Sequence, residues 1–416
     1  MRVSLFRLDS PSMSAAISRP GLRVHGLMLG ARRVSQVLVF GVLPLVIVGL
    51  TLVLTFHKGT GAWAVDFRGN FVIPARDILH GVSPYHTAYL ERVRDAVDAG
   101  RRPDTFSRGV FATYPAPALV LGVPFTFLPA AVAEWLWVGL SIACAALALR
   151  LVGVRDWRVY GAALLAPALG TSLSYGTVEC LLMLGLAATW RWRDHARRGG
   201  IALGTLIALK LIFVPLIAWL LFTRRFLAAA VASACATGLC LAAWAVIGFH
   251  GFTDYPHVLS LLTDIEKRQG FSSGSYVLAL GLPEALASAI PYVLGCCVTA
   301  VLWFAVRRGG ARADAHGFLL ATLAVFAFSP IVWLHYLALL LVPLAVLVPR
   351  LGAAWMMPLL MWGMPFAAFT PANPVHRTIF AVTLLGSVVF AYGPRELAET
   401  LHLRSPLPQR ETAGAA

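Results

Sequence analysis

Apolar segments long enough to cross a bilayer recur along most of this chain, and charged residues are too few to coat a water-facing surface. A membrane helix needs ~20 consecutive apolar residues. Runs at 37–56, 130–154 and 226–249 meet that length, and further apolar runs lie at 286–306, 317–334, 336–349, 353–369 and 378–392. Only 13% of the residues are charged, against about 25% in soluble domains. The 416 residues leave room for roughly ten to thirteen spans, less what the polar loops use. The expected fold is therefore an all-α, polytopic integral membrane protein.

The formal net charge of +15 does not point to nucleic acid. Arginines gather at the ends of apolar runs, at Arg32 and Arg33, from Arg191 to Arg198, at Arg224 and Arg225, and at Arg307 and Arg308. That is the distribution of cytoplasmic loops beside membrane spans, so the implied partner is the lipid bilayer. Expected boundaries follow: a basic cytoplasmic tail at 1–34, a membrane domain at 35–393 and a cytoplasmic tail at 394–416. Extracytoplasmic loops are expected at 57–116 and 250–275. The first apolar run is of full span length and reads as an uncleaved helix. Six cysteines lie in apolar segments without metal-ligand spacing, and no metal or cofactor is implied.

The first outer loop carries two helical stripes. Phe71, Ala75, Ile78 and Leu79 share a face and stop at Gly81; Tyr89, Val93, Ala96 and Val97 form the second. Such stripes suit helices lying on a membrane interface or, alternatively, a small globular loop with its own core. Segments 159–176 and 178–192 form a hairpin with Tyr175-Gly176 at its apex. Segment 201–222 reads as two half-helices broken at Pro215.

Soluble-enzyme motifs are absent, so candidate chemistry rests on polar groups at membrane depth or just outside it. Asp66 lies about ten residues beyond the first span. Partial dehydration there would make it a stronger base, and capping the next helix is the other role open to it. His335, in Ser329-Pro-Ile-Val-Trp-Leu-His-Tyr336, could move protons or donate to phosphate, or simply bond a carbonyl at the interface. Lys210 falls inside an apolar run and should face either a cavity with a partner or snorkel to an interface. Arg68, Lys267 and Arg268 are further candidate phosphate contacts, although a solvated face also suits the last two. Glu179, Tyr85, Tyr114 and Tyr336 are candidate sugar or acceptor contacts.

The order of these elements resembles a known family. It runs from Asp66 through Ala75-Arg-Asp-Ile-Leu-His-Gly-Val-Ser-Pro-Tyr85, Thr113-Tyr-Pro-Ala-Pro117 and Leu128-Pro129 to the Tyr175-Gly176 apex. It continues through Gly204…Ala208-Leu-Lys210 and Arg224-Arg225 to Ser329-Pro…Trp333-Leu-His-Tyr336. In this order the chain is similar to glycosyltransferase family 87 over roughly 35–350. The resemblance implies a helical bundle of the GT-C type with interfacial helices in the first outer loop. It implies a polyprenyl-phosphate-sugar donor, as in phosphatidylinositol mannoside synthesis, and a glycolipid or polysaccharide acceptor. It also implies Asp66 as the acceptor-activating aspartate and His335 as the histidine of the last motif. Family members often carry Gly-Gln-x-Asn at the apex, where this chain has Gly176-Thr-Val-Glu179, which leaves the donor sugar open.

The resemblance thus leads to an inverting glycosyltransferase at the extracytoplasmic face of the cell membrane, with mannose as the favoured sugar. Two other classes compete. A secondary transporter would suit broken helices and a buried lysine, but matched halves are not apparent. A non-catalytic envelope-assembly protein would leave Asp66 and His335 dispensable.

Overall fold

The computed structural model describes residues 33–57, 63–99, 112–364 and 373–393; the two expected tails fall almost wholly outside them. The described residues are helical or irregular, without strands. This is what a chain in lipid requires, because helices satisfy their backbone groups internally.

In chain order the helices are α1 (Arg33–His57), α2 (65–79), α3 (Thr87–Asp98), α4 (Ala116–Phe127) and α5 (Ala130–Leu151). Then come α6 (Trp157–Leu165), α7 (Pro167–Tyr175), α8 (Glu179–Arg191), α9 (Ala196–Leu209) and α10 (Leu211–Phe222). They continue as α11 (Phe226–Val246), α12 (Asp254–Gln269), α13 (Ser273–Ala279), α14 (Glu284–Arg308) and α15 (Ala313–Phe328). Last are α16 (Leu334–Leu347), α17 (Ala353–Gly363) and α18 (Pro374–Tyr392). Among them α1, α5, α11, α14 and α18 are long and apolar enough to cross a membrane. The fold is that of an all-α polytopic membrane protein.

Full-length spans are fewer than composition allows because several apolar runs break. The first arm of the expected hairpin divides at Ala166-Pro167 into α6 and α7, since proline cannot extend a helix from within. The run 201–222 also breaks, but at Lys210, whose backbone is extended (φ −154°, ψ 110°). Pro215 instead occupies the first turn of the α-helical part of α10, a position where its missing N–H costs nothing.

Both stripes of the first polar loop form helices. α2 is continuous through a π-helical turn at Arg68–Val72 and ends before Gly81, whose φ is +70°. α3 buries Leu90 and Val93 and packs against α12 from the second polar loop. The two loops therefore share one core with the bundle.

At the opposite end of α15 the arginine-rich turns converge on one carboxylate. Asp314 accepts hydrogen bonds from Arg193 Nε (2.8 Å), Trp219 Nε1 (3.2 Å) and two nitrogens of Arg225 (2.7 and 2.9 Å). This knot ties the ends of α8 and α10 to the start of α15. Asp314→Ala removes the acceptor shared by two guanidinium groups and an indole N–H, leaving the arginines only Asp194 and the Trp190 carbonyl; the expected loss is about 1–3 kcal/mol, read as a lowered midpoint of thermal unfolding in detergent.

Candidate active site

Three breaks in helical structure bring polar side chains to one point. Lys210 occupies the gap between α9 and α10. Glu179 opens α8 directly after Gly176, whose φ of +67° suits the apex. His335 lies in the 3₁₀ turn that begins α16, after the extended stretch following α15. Lys210 Nζ donates to Glu179 Oε1 at 2.7 Å, and His335 Nε2 lies 3.8 Å from the same oxygen. Glu179 has no exposed surface, and Lys210 and His335 are both buried. Lys210 Nζ also stands 3.7 Å from the Tyr336 ring centre and 5.2 Å from that of Tyr114. Buried ions need such partners, because desolvation otherwise outweighs any attraction.

Asp66 reaches this cluster from α2. It lies one residue inside the helix, whose N-cap is Ala64 and carries no side-chain cap bond, so capping does not explain it. Ala64 holds a left-handed backbone, φ 49° and ψ 27°, and its N–H donates to the Ser174 carbonyl at 2.8 Å. Such strain in a residue other than glycine persists only where the surroundings enforce it, often beside functional groups. The surroundings here are tight. A Cβ on Gly176 would come within 2.7 Å of Phe67 Cβ, and one on Gly122 within 2.1 Å of the Phe71 carbonyl oxygen. Phe67 and Phe71 of α2 pack on Trp137, their ring centres 4.8 and 4.9 Å from the indole, and Trp137 Nε1 donates to the Gly176 carbonyl at 2.8 Å. The entry to α2 is thus clamped to the apex that bears Glu179.

Asp66 remains partly accessible from the cavity, while protein surrounds it closely enough to withdraw most of its hydration. Burial, reinforced by the Glu179 charge and opposed by Lys210, raises its pKa from 3.8 to about 7. A carboxyl group poised there can exchange protons near neutrality.

These groups open onto a cavity of about 1020 Å³. Asp66, Lys210, His335, Tyr114 and Tyr336 line it, with Asn70, Tyr175, Tyr255 and Glu266. One arm is apolar, running along Leu211, Val214, Ile217 and Leu221 of α10 to Tyr292 of α14 and Val325 of α15. Leu211, Val214 and Tyr292 are also exposed, so this arm reaches the bundle's flank between α10 and α14.

Other expected residues lie elsewhere. Arg68 does not line this cavity; it points to Glu134 of α5, at 3.3 Å. Lys267 pairs with Asp264 at 2.8 Å and with Glu284, and Arg268 lies 3.5 Å from Asp98. Tyr85 is buried behind the cavity wall, donating to the Tyr114 carbonyl at 3.0 Å. Glu266 was not anticipated. It occupies the sequence step before Lys267 in a polar loop, and only its burial after packing sets it apart.

Fold and site together define a membrane protein with a buried polar centre on a large, partly apolar cavity. The model of glycosyltransferase family 87 matches residues 112–335, more than half of the chain, and the chain belongs to that family. The matched segment holds Glu179, Lys210, Glu266 and His335, whereas Asp66 precedes it. Neither the curated proteins nor the solved structures include a significant match.

Removing one member of the central ion pair leaves the other charge buried alone. Lys210→Met is expected to cost about 3–5 kcal/mol. Lys210→Met combined with Glu179→Gln should recover most of that loss, and a double-mutant cycle of unfolding midpoints in detergent checks it.

Proposed function

We propose that this glycosyltransferase moves a sugar, mannose being the favoured one, from a polyprenyl-phosphate donor to a glycolipid or glycan acceptor at the extracytoplasmic membrane face. The observation that carries this reading is the position of Asp66, a carboxyl group with a pKa near neutrality, on the same cavity as the Lys210–Glu179–His335 cluster.

The chemistry follows from those positions. The Asp66 carboxylate takes the proton from an acceptor hydroxyl. That oxygen attacks the anomeric carbon from the face opposite the phosphate, forming the glycosidic bond with inverted configuration. The bond from the anomeric carbon to the phosphate oxygen breaks, and polyprenyl phosphate leaves with the electron pair. Lys210 and His335 lie where cationic or N–H donors can stabilise the charge that grows on phosphate. Exclusion of water from this centre protects the donor from hydrolysis. The apolar arm at the bundle's flank supports a donor whose prenyl chain stays in lipid.

The arginine distribution supports the orientation. The Asp314 knot gathers arginine-rich turns at one end of α10 and α15, and Lys210 and Ser329 occupy the other ends. With the arginines cytoplasmic, Asp66 faces outward.

The test uses purified full-length protein, a labelled polyprenyl-phosphate mannose and glycolipid acceptors. Asp66→Asn should lower turnover roughly 100- to 10,000-fold; full activity in this variant, or no turnover of any donor by the wild type, ends the mechanism. Because the base must be ionised, the wild-type rate should rise with pH and level off above about 7. A carboxyl raised from 3.8 to about 7 weakens the folded state as pH climbs through that window. Asp66→Asn should therefore be at least as heat-stable as wild type at pH 8, whereas a structural aspartate would lose stability when replaced. Cysteine placed at position 66 should react with an impermeant thiol reagent added to intact cells; reaction only after lysis would reverse the orientation.

A further inference from the structure

The second outer helix brings another acid to the cavity. Glu266 of α12 is only 5% exposed, yet it lines the same cavity as Asp66 and Tyr336. Its Oε2 has no hydrogen-bond partner among the described residues. Cations close in sequence do not serve it, since Lys267 turns to Asp264 and Glu284 and Arg268 to Asp98. A buried polar atom left unpaired is costly, and native proteins tolerate few. An orphan of this kind on a cavity wall marks a place where an occupant supplies the missing partner.

Its surroundings define that occupant. Glu266 is within electrostatic reach of Asp66 and Tyr336. Burial first, and the Asp66 charge second, hold its pKa well above the usual carboxylic-acid value. A neutral carboxyl offers one O–H donor and an accepting oxygen. A sugar hydroxyl, which both donates and accepts, completes that set. A phosphodiester, which offers only acceptors, leaves the accepting oxygen of the carboxyl unpaired.

We propose that Glu266 holds a carbohydrate hydroxyl through its carboxyl group and so helps select the sugar that occupies the cavity. This rests on the reading of the cavity as a glycosyl-transfer site. Glu266 is then a binding residue on the cavity wall, and Asp66 alone takes the proton. The hydroxyl belongs either to the donor sugar or to the acceptor, and two probes separate these sources.

Full-length wild type, Glu266→Gln and Glu266→Leu are compared in lipid nanodiscs. Titration calorimetry uses a short-chain polyprenyl-phosphate mannose as the donor probe and n-octyl α-D-mannopyranoside as the acceptor probe. Glu266→Leu should weaken one probe by about tenfold or more, the loss expected for one well-made hydrogen bond. The probe affected tells which hydroxyl is held. Glu266→Gln keeps a donor and an acceptor and should stay within about threefold of wild type for both. Because leucine removes an unsatisfied buried group, Glu266→Leu should melt at or above the wild-type temperature, which a structural role would not allow. Unchanged binding of both probes by Glu266→Leu, or a lowered melting point accompanying any loss, overturns the proposal. If that variant also keeps wild-type transfer kinetics, only this proposal falls. If wild type binds neither probe, the transfer-site reading falls and takes this proposal with it.

Discussion

The ion pair between Lys210 and Glu179 is the constraint around which the centre of this protein is arranged. Both charges are buried, and in such surroundings neither survives without the other. Their 2.7 Å contact requires the chain to break between α9 and α10 and α8 to begin directly after the apex. It also fixes where α16 can start, because His335 approaches the same carboxylate oxygen. Helical breaks at membrane depth are tolerated only where protein or a cavity satisfies the freed groups, and here they face both.

The pair also divides electrostatic roles within the cavity. Lys210 is already balanced by Glu179, so the centre carries little net charge at rest. Under the proposed mechanism, this favours an interaction that strengthens as charge grows on the leaving phosphate, the kind that accelerates a reaction rather than merely tightening binding. Asp66, with no ion pair among the described residues, remains poised near neutrality. The clamp at Ala64 and Gly176 holds it there: a left-handed alanine bonded to Ser174 and a glycine that admits no Cβ bind its position to the hairpin that carries Glu179.

Much of the fold was legible because lipid imposes simple rules. Span-length apolar runs, arginine-rich turns and the stripes of α2 and α3 could be read from period and composition. Asp66, Lys210 and His335 could be singled out because charge and imidazole are expensive in apolar surroundings. The break in 201–222 was legible as a break but not as a position: Pro215 drew attention, while the partner of Lys210, 31 residues away, decided it. Arg68, Lys267 and Arg268 looked like phosphate contacts on sign alone. Each has a carboxylate of its own: Lys267 finds one a single helical turn away and another on α14, while the partners of Arg68 and Arg268 lie far off in the chain.

The sequence by itself therefore determined a helical, many-span membrane protein, the end of the bundle where its arginines gather and the short set of polar residues from which a site could be built. Those properties follow from transfer free energies of individual side chains, which need no knowledge of neighbours. Tertiary structure alone decided that Glu179 neutralises Lys210, that Asp66 shares the cavity of Lys210, that Arg68 turns away and that Glu266 faces inward with one oxygen unpaired among the described residues. Such outcomes depend on distances between groups remote in sequence, and distance is what governs both the strength of a charge pair and the loss of water around it.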